Sequence, residues 1–234
     1  MNKSYPHSFQ RGDQSQEKLA RRTHAKKEID RFFNVAGKTK VIVLDTETNG
    51  LSPAYSVLSC SMLKYEIDPA TYEISELGRF CRYYFPVENY EPKAIEKNGL
   101  TAEVIAAKRQ EIVAGKRQDA WYAEHFVEET ELALFCDDVI RYIGHNIEFD
   151  AQFIPLLQNK IRFCTMKTNT DIVGIEIKKT PKTYFKYPTL EETALFYGIE
   201  TDASRYHTSD YDAEITARIF IKMLQRARDE NFLL

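Results

Sequence analysis

The chain has 234 residues, of which 43% are hydrophobic and 29% charged, with a net charge of −3. That is the composition of a globular protein large enough for one sizeable domain, and it argues against a uniformly basic nucleic-acid binder. No stretch approaches the roughly 18 continuous apolar residues of a membrane helix, and the opening MNKSYPHSFQRGDQSQEKLARR lacks the apolar core of a secretory signal. The expectation is a cytoplasmic protein with no membrane partner. Cys60, Cys81, Cys136 and Cys164 form no CxxC pair, so they read as reduced core residues and not as disulfides or zinc ligands.

In chain order, residues 1–13 read as disordered, polar and without periodicity. Residues 14–34 follow as a basic amphipathic helix with Leu19, Ile29, Phe32 and Phe33 on its apolar side, ended by Gly37. Three strands are then predicted. VIVLDTE is an apolar run of the kind buried on both faces, while SVLSCSMLKYEID and EISELGRFCRYYFP flank a hairpin turn at Asp68-Pro69-Ala70-Thr71. From Glu91 the pattern turns helical, through EPKAIEKNGLTAEVIAAKRQ, HFVEETELALFCDDVIRYI and, after GHN, FDAQFIPLLQNK. A short strand falls around RFCTM and a loop at 176–188. Helices follow at TLEETALFYGI and DAEITARIFIKMLQRA. Strands first, then helices alternating with short strands, argue for a single α/β domain with a mixed sheet at 39–230, behind an N-terminal extension at 1–38.

Charge is unevenly distributed. Residues 1–40 carry ten Lys or Arg against four acids, and residues 160–187 carry seven against two. Basic segments flanking an acidic centre suit a polyanion, although each segment alone also reads as a solvated face.

The acidic centre is built from three places. Asp45 and Glu47, two apart at the end of a strand, point to the same side, a common way to line a site for a hard cation with oxygen. GHNIEFD supplies Asp150 at a helix start, and YHTSDYDAEITA supplies His207 and, five residues on, Asp212 at the head of the last helix.

DTETNGL, GHNIEFD and His-x4-Asp followed by AEITA resemble, in order, the three motifs of the DnaQ-like 3′–5′ exonucleases, in the DEDDh branch that carries a histidine. The resemblance covers roughly residues 40–226. Tyr206-x3-Asp210 matches the tyrosine branch, but the helix pattern is in register with Asp212. The resemblance implies a ribonuclease H-like mixed sheet flanked by helices, and two Mg²⁺ or Mn²⁺ ions. Asp45 would touch both ions, Glu47 and Asp212 would complete one site, and Asp150 would serve the other. His207 would take the proton from the attacking water.

Substrate contacts implied by the same resemblance are the Thr46 backbone at the 3′-terminal sugar and Leu51 wedged against the terminal base, where Leu51 also reads as a plain core leucine. Asn146 and Phe149 would touch substrate or fix the Asp150 loop, and His145 reads as structural. Asn98-Gly99-Leu100 stands where the family usually has His-Gly-Ile, which leaves Leu100 as a packing contact for the nucleotide. Residues 108–125 and the lysine-rich 176–188 are longer than in a minimal member. The second would form a basic lip with Tyr184, Phe185 and Tyr187 for stacking, or a solvated loop.

The expected activity is release of nucleoside 5′-monophosphates from single-stranded 3′ ends, DNA being favoured over RNA. The alternatives are an exoribonuclease of the ribonuclease T or oligoribonuclease type and a non-catalytic nucleic-acid- or polymerase-binding module. The last predicted helix is soon followed by Leu234, which suggests a stand-alone enzyme. Its partner contact, such as a DNA polymerase, would then be the N-terminal helix.

Overall fold

The computed structural model describes residues 24–114, 122–179 and 182–228. The expected disorder at 1–13 and the start of the N-terminal helix lie outside these residues. Residues 24–32 are helical (α1), and their apolar Ala25, Ile29 and Phe32 are buried.

The central sheet has five strands: β1 (Thr39–Thr48), β2 (Val57–Ile67), β3 (Ile74–Tyr83), β4 (Arg141–Gly144) and β5 (Ile161–Cys164). Their spatial order is β3-β2-β1-β4-β5. β1, β2 and β3 form an antiparallel meander, while β4 and β5 join parallel to β1. β1 is therefore central, which explains its unbroken apolar run Val41–Leu44, buried on both faces.

Two helical layers cover the sheet. On one face Val41 and Val43 pack with Ile29 and Phe32 of α1, with Phe33 just after it, and with Ile219, Phe220 and Met223 of α8 (Ser209–Arg228). On the other face Ile42 and Leu44 pack with Leu132 and Cys136 of α4 (Glu131–Cys136) and Ile147 and Phe153 of α5 (Ile147–Phe153). The strand alternation thus hands odd-numbered residues of β1 to the α8 layer and even-numbered ones to the α5 layer. The cysteines are unpaired, with Cys60 and Cys136 fully buried.

Four sequence expectations change, the smallest being that the helix expected at FDAQFIPLLQNK ends at Phe153, with only a 3-10 turn at Pro155–Leu157 beyond it. The segment 91–110 is not one helix: α2 (Pro92–Asn98) and α3 (Ala102–Ala114) are separated at Gly99, whose φ of +69° is accessible to glycine without steric cost. The helix expected through 143 stops at Cys136, and Arg141–Gly144 is the strand β4, because pairing with β1 on one side and β5 on the other outweighs local helical character. The expected loop at 176–188 contains an antiparallel hairpin, β6 (Glu176–Lys179) and β7 (Lys182–Phe185). α6 (Thr165–Val173) and α7 (Leu190–Phe196) complete the α8 layer; α7 opens on a capping box between Thr189 and Glu192. Among the described residues no helix is long and apolar enough to cross a membrane.

Candidate active site

A cleft of about 860 Å³ opens at the carboxyl end of β1. Its wall includes Asp45, Thr46, Glu47, Leu51, Lys97, Asn146, Phe149, His207 and Asp212. Asp45 and Glu47 continue the odd-numbered series of β1, so they face the α8 layer, and Asp212 in the first turn of α8 comes to meet them. Thr46 continues the even-numbered series and faces α5. There its N–H and hydroxyl both donate to Oδ1 of buried Asp150, at 3.0 and 2.8 Å. The Thr46 N–H is thus taken up in fixing Asp150. Past Glu47 the register of β1 against β2 shifts and the chain turns at Gly50, where a Cβ would collide with the ring of Tyr55.

His207 precedes α8 in the left-handed region, with φ of +67°. A non-glycine residue there is strained by about 1 kcal/mol or more. The turn is held by its own N–H, which donates to Asp212 Oδ2 at 3.2 Å. The ligand atoms of Glu47, His207 and Asp212 lie within 4.8 Å of one another. Asp210 instead points outward beside Arg205, and Tyr206 stacks on Tyr211 in the hydrophobic layer, so it is Asp212 that reaches the cleft.

The electrostatics are those of an acidic site short of cations. Burial pushes the Asp45 carboxyl well above its ordinary range, reinforced by Asp150, Glu47 and Asp212. Burial, then Asp212, raises Glu47 to about 8. Asp150 and Asp212 are each raised to about 7, chiefly by burial. The Lys97 charge opposes the rise at Asp45, Glu47 and Asp212. His207 is lowered, first by desolvation and then by Lys97.

A divalent cation fits this set. The donors are hard carboxylate oxygens with one imidazole, and Asp212 Oδ1 is buried with no hydrogen-bond partner among the described residues. Among the described residues, Glu47, His207 and Asp212 are the ones whose ligand atoms converge closely enough to share one ion.

The remaining expected contacts divide. Leu51 is 83% exposed at the cleft, which rules out the core-leucine alternative. Asn146, at φ +75°, precedes α5, and Phe149 stacks near Phe153 while also lining the cleft. Leu100 is corrected: it is 4% exposed and packs with Leu58, Tyr83 and Ile105, away from the cleft, because Gly99 turns it into the core. His145 is structural, bridging Thr165 Oγ1 and the Pro188 carbonyl at 3.0 Å each, with burial lowering its pKa to about 4. Asn98, which stands where the family usually has histidine, lines the site, and so does Lys97, which was not singled out in sequence, where it is merely a polar residue of a short helix.

An exonuclease family model matches residues 42–220. The chain is similar to the PolC-type DNA polymerase III of Staphylococcus haemolyticus (strain JCSC1435), at 28% identity over 191 residues, covering 80% of this chain. The same protein from Staphylococcus aureus (strain MW2) matches with equal identity and coverage. The chain spans 12% of the length of these relatives. Among solved structures it is similar to E. coli Exonuclease I in complex with a 5cy-dT13 oligonucleotide. That match has a TM-score of 0.50 and 16% identity, over 83% of this chain and 42% of the other, a likeness of fold. The mixed sheet between helical layers is the ribonuclease H-like α/β fold.

Proposed function

Because this chain belongs to the DnaQ-like exonuclease family, we propose that it is a metal-dependent 3′–5′ exonuclease that releases nucleoside 5′-monophosphates from single-stranded DNA ends. The observation carrying this reading is the convergence of Glu47, His207 and Asp212 within 4.8 Å, beside Asp45, with an Asp212 oxygen that no group among the described residues satisfies.

Asp45, Glu47, Asp150 and Asp212 would hold two divalent ions, Mg²⁺ or Mn²⁺, which supply Lewis-acid stabilisation of the phosphate and its leaving oxygen. Thr46 keeps Asp150 aimed from the opposite side of β1. His207, whose pKa desolvation and then Lys97 hold below its ordinary value, would accept a proton from the attacking water. Exposed Leu51 presents an apolar surface on which a terminal base stacks, with Phe149 on the same cleft wall.

The test is digestion of matched single-stranded DNA and RNA oligonucleotides, labelled at the 3′ or the 5′ end, in Mg²⁺ and in chelator. Mg²⁺-dependent appearance of labelled 5′-monophosphate from the 3′ end of DNA is expected, and Asp45→Ala should abolish it. No release of 5′-monophosphate by the parent, or release that persists in chelator or in the Asp45→Ala protein, would refute the proposal, and preference for RNA would redirect it to an exoribonuclease. Whether the N-terminal extension contacts a polymerase is tested by deleting residues 1–22, which keeps the buried Ala25, Ile29, Phe32 and Phe33 in place, and measuring partner binding.

A further inference from the structure

Helix α2 carries two lysines, Lys93 and Lys97, that the carboxylate-histidine set does not use, and both line the cleft. Four residues apart, they lie on one side of the helix, about 6 Å from each other along its axis. Like charges at this spacing weaken a short helix rather than support it. Neither makes an ion pair among the described residues, whereas Lys26, Lys64 and Lys186 pair with Asp30, Asp138 and Glu192.

The helix that presents them is fixed at both ends to the strand bearing the acids. Fully buried Asn49, just past β1, accepts from the Glu91 N–H at 2.9 Å and donates to the Asn89 carbonyl at 2.9 Å and to Glu88 at 2.7 Å. At the other end, Asn98 donates to the Thr48 carbonyl at 3.3 Å. Lys97 is thereby held over the acidic floor, near enough for its charge to act on Asp45, Glu47, Asp212 and His207 without forming an ion pair with any of them. An exposed ammonium in that position suits an anion that enters the cleft.

We propose that Lys97 is a phosphate-binding residue of this site: its ammonium takes a non-bridging oxygen of the phosphodiester lying over Asp45 and Glu47, and Lys93, one turn away, takes a neighbouring phosphate. The proposal rests on the exonuclease reading for its ligand. A purely structural alternative makes Lys97 the cation that complements the C-terminus of α2, and this predicts an effect on stability but none on nucleic-acid binding.

The experiment measures anisotropy of a labelled single-stranded oligodeoxynucleotide with metal-loaded His207→Ala protein, read at short times before its slowed turnover consumes substrate, across a salt series. His207→Ala/Lys97→Ala should bind roughly 10-fold or more weakly, the loss expected for a charge-assisted hydrogen bond. Its slope of log affinity against log salt should be shallower by about 0.7, the value of one phosphate contact on a single strand. Lys97→Arg in the same background should restore most of both, and Lys93→Ala should give a similar change in slope. Unchanged affinity and slope in the Lys97→Ala protein would overturn the proposal, whatever happens to its melting temperature. If the parent digests DNA but Lys97 variants bind and digest as it does, the phosphate site fails and the exonuclease reading stands. If the parent releases no mononucleotides yet binds with a Lys97-dependent slope, the exonuclease reading fails and the phosphate site stands.

Discussion

Replacing Glu47 by Gln should stabilise the metal-free protein while disabling it. Glu47 is raised from about 4.5 to about 8 by burial and then by Asp212. Its folded-state pKa lies above the unfolded one, so the folded chain holds a proton that the unfolded chain has released. Stability therefore falls as pH rises from about 4.5 towards 8. At about pH 7.5 the cost reaches at most about 4 kcal/mol, at 1.36 kcal/mol for each pH unit above the unfolded value. Asp45, Asp150 and Asp212 are raised in the same cluster and share the repulsion, so about 2 kcal/mol is the expected net gain for the neutral isostere.

In a chain of this size, that gain raises the melting temperature by about 4–8 °C. At about pH 5 it should shrink below about 1 kcal/mol, because the unfolded carboxyl is itself partly protonated. Millimolar Mg²⁺ should reverse the order, since binding to the folded state stabilises the parent through a ligand that the variant lacks. The assay is thermal unfolding followed by circular dichroism, in chelator at both pH values and in Mg²⁺, with oligonucleotide digestion alongside. A Glu47→Gln protein that melts at or below the parent in chelator at pH 7.5 would refute the reasoning. So would an advantage that is the same at both pH values.

His207→Ala should lower the rate by about 10²–10⁴-fold without changing the circular dichroism spectrum, as expected for loss of a general base on an exposed turn, and added imidazole should restore part of the rate. His207→Gly should in addition melt higher than His207→Ala, since glycine relieves the positive φ. Thr46→Val removes the 2.8 Å hydroxyl bond to Asp150 and should cost about 1–3 kcal/mol near pH 8, read by denaturant titration, with a smaller cost at pH 5 where Asp150 is protonated. Leu51→Ala, at an 83% exposed position, should change stability by less than about 0.5 kcal/mol yet raise KM for single-stranded ends; an unchanged KM would remove Leu51 from the substrate surface.

Much of the acidic site was legible because each part of it is local. Alternation along a strand is enough to aim Asp45 and Glu47 to one side, and a helix start is enough to place Asp150 or Asp212 on a first turn. The single-strand reading of VIVLDTE likewise followed from an apolar run that only a central strand can bury. The sequence could not place residues whose role depends on what lies across from them. RYIG looked like the tail of a helix, and it became a strand only because β1 and β5 offer hydrogen bonds on both sides. Leu100 looked available to a nucleotide until Gly99 turned it inward.

By itself, then, the chain determined its motif residues, their order and the chemistry of their oxygen donors. Tertiary structure decided which of them meet: it set Asp212 rather than Asp210 in the cleft and tied Asp150 to Thr46 through the sheet. It also carried Lys97 over the carboxylates on a helix fixed by Asn49 and Asn98. The physical reason is range. Backbone periodicity acts over a few residues, whereas burial and Coulomb interaction depend on neighbours that folding brings from 40 positions away, as between Asn49 and Asn89, to 212 − 45 = 167 away, as between Asp45 and Asp212.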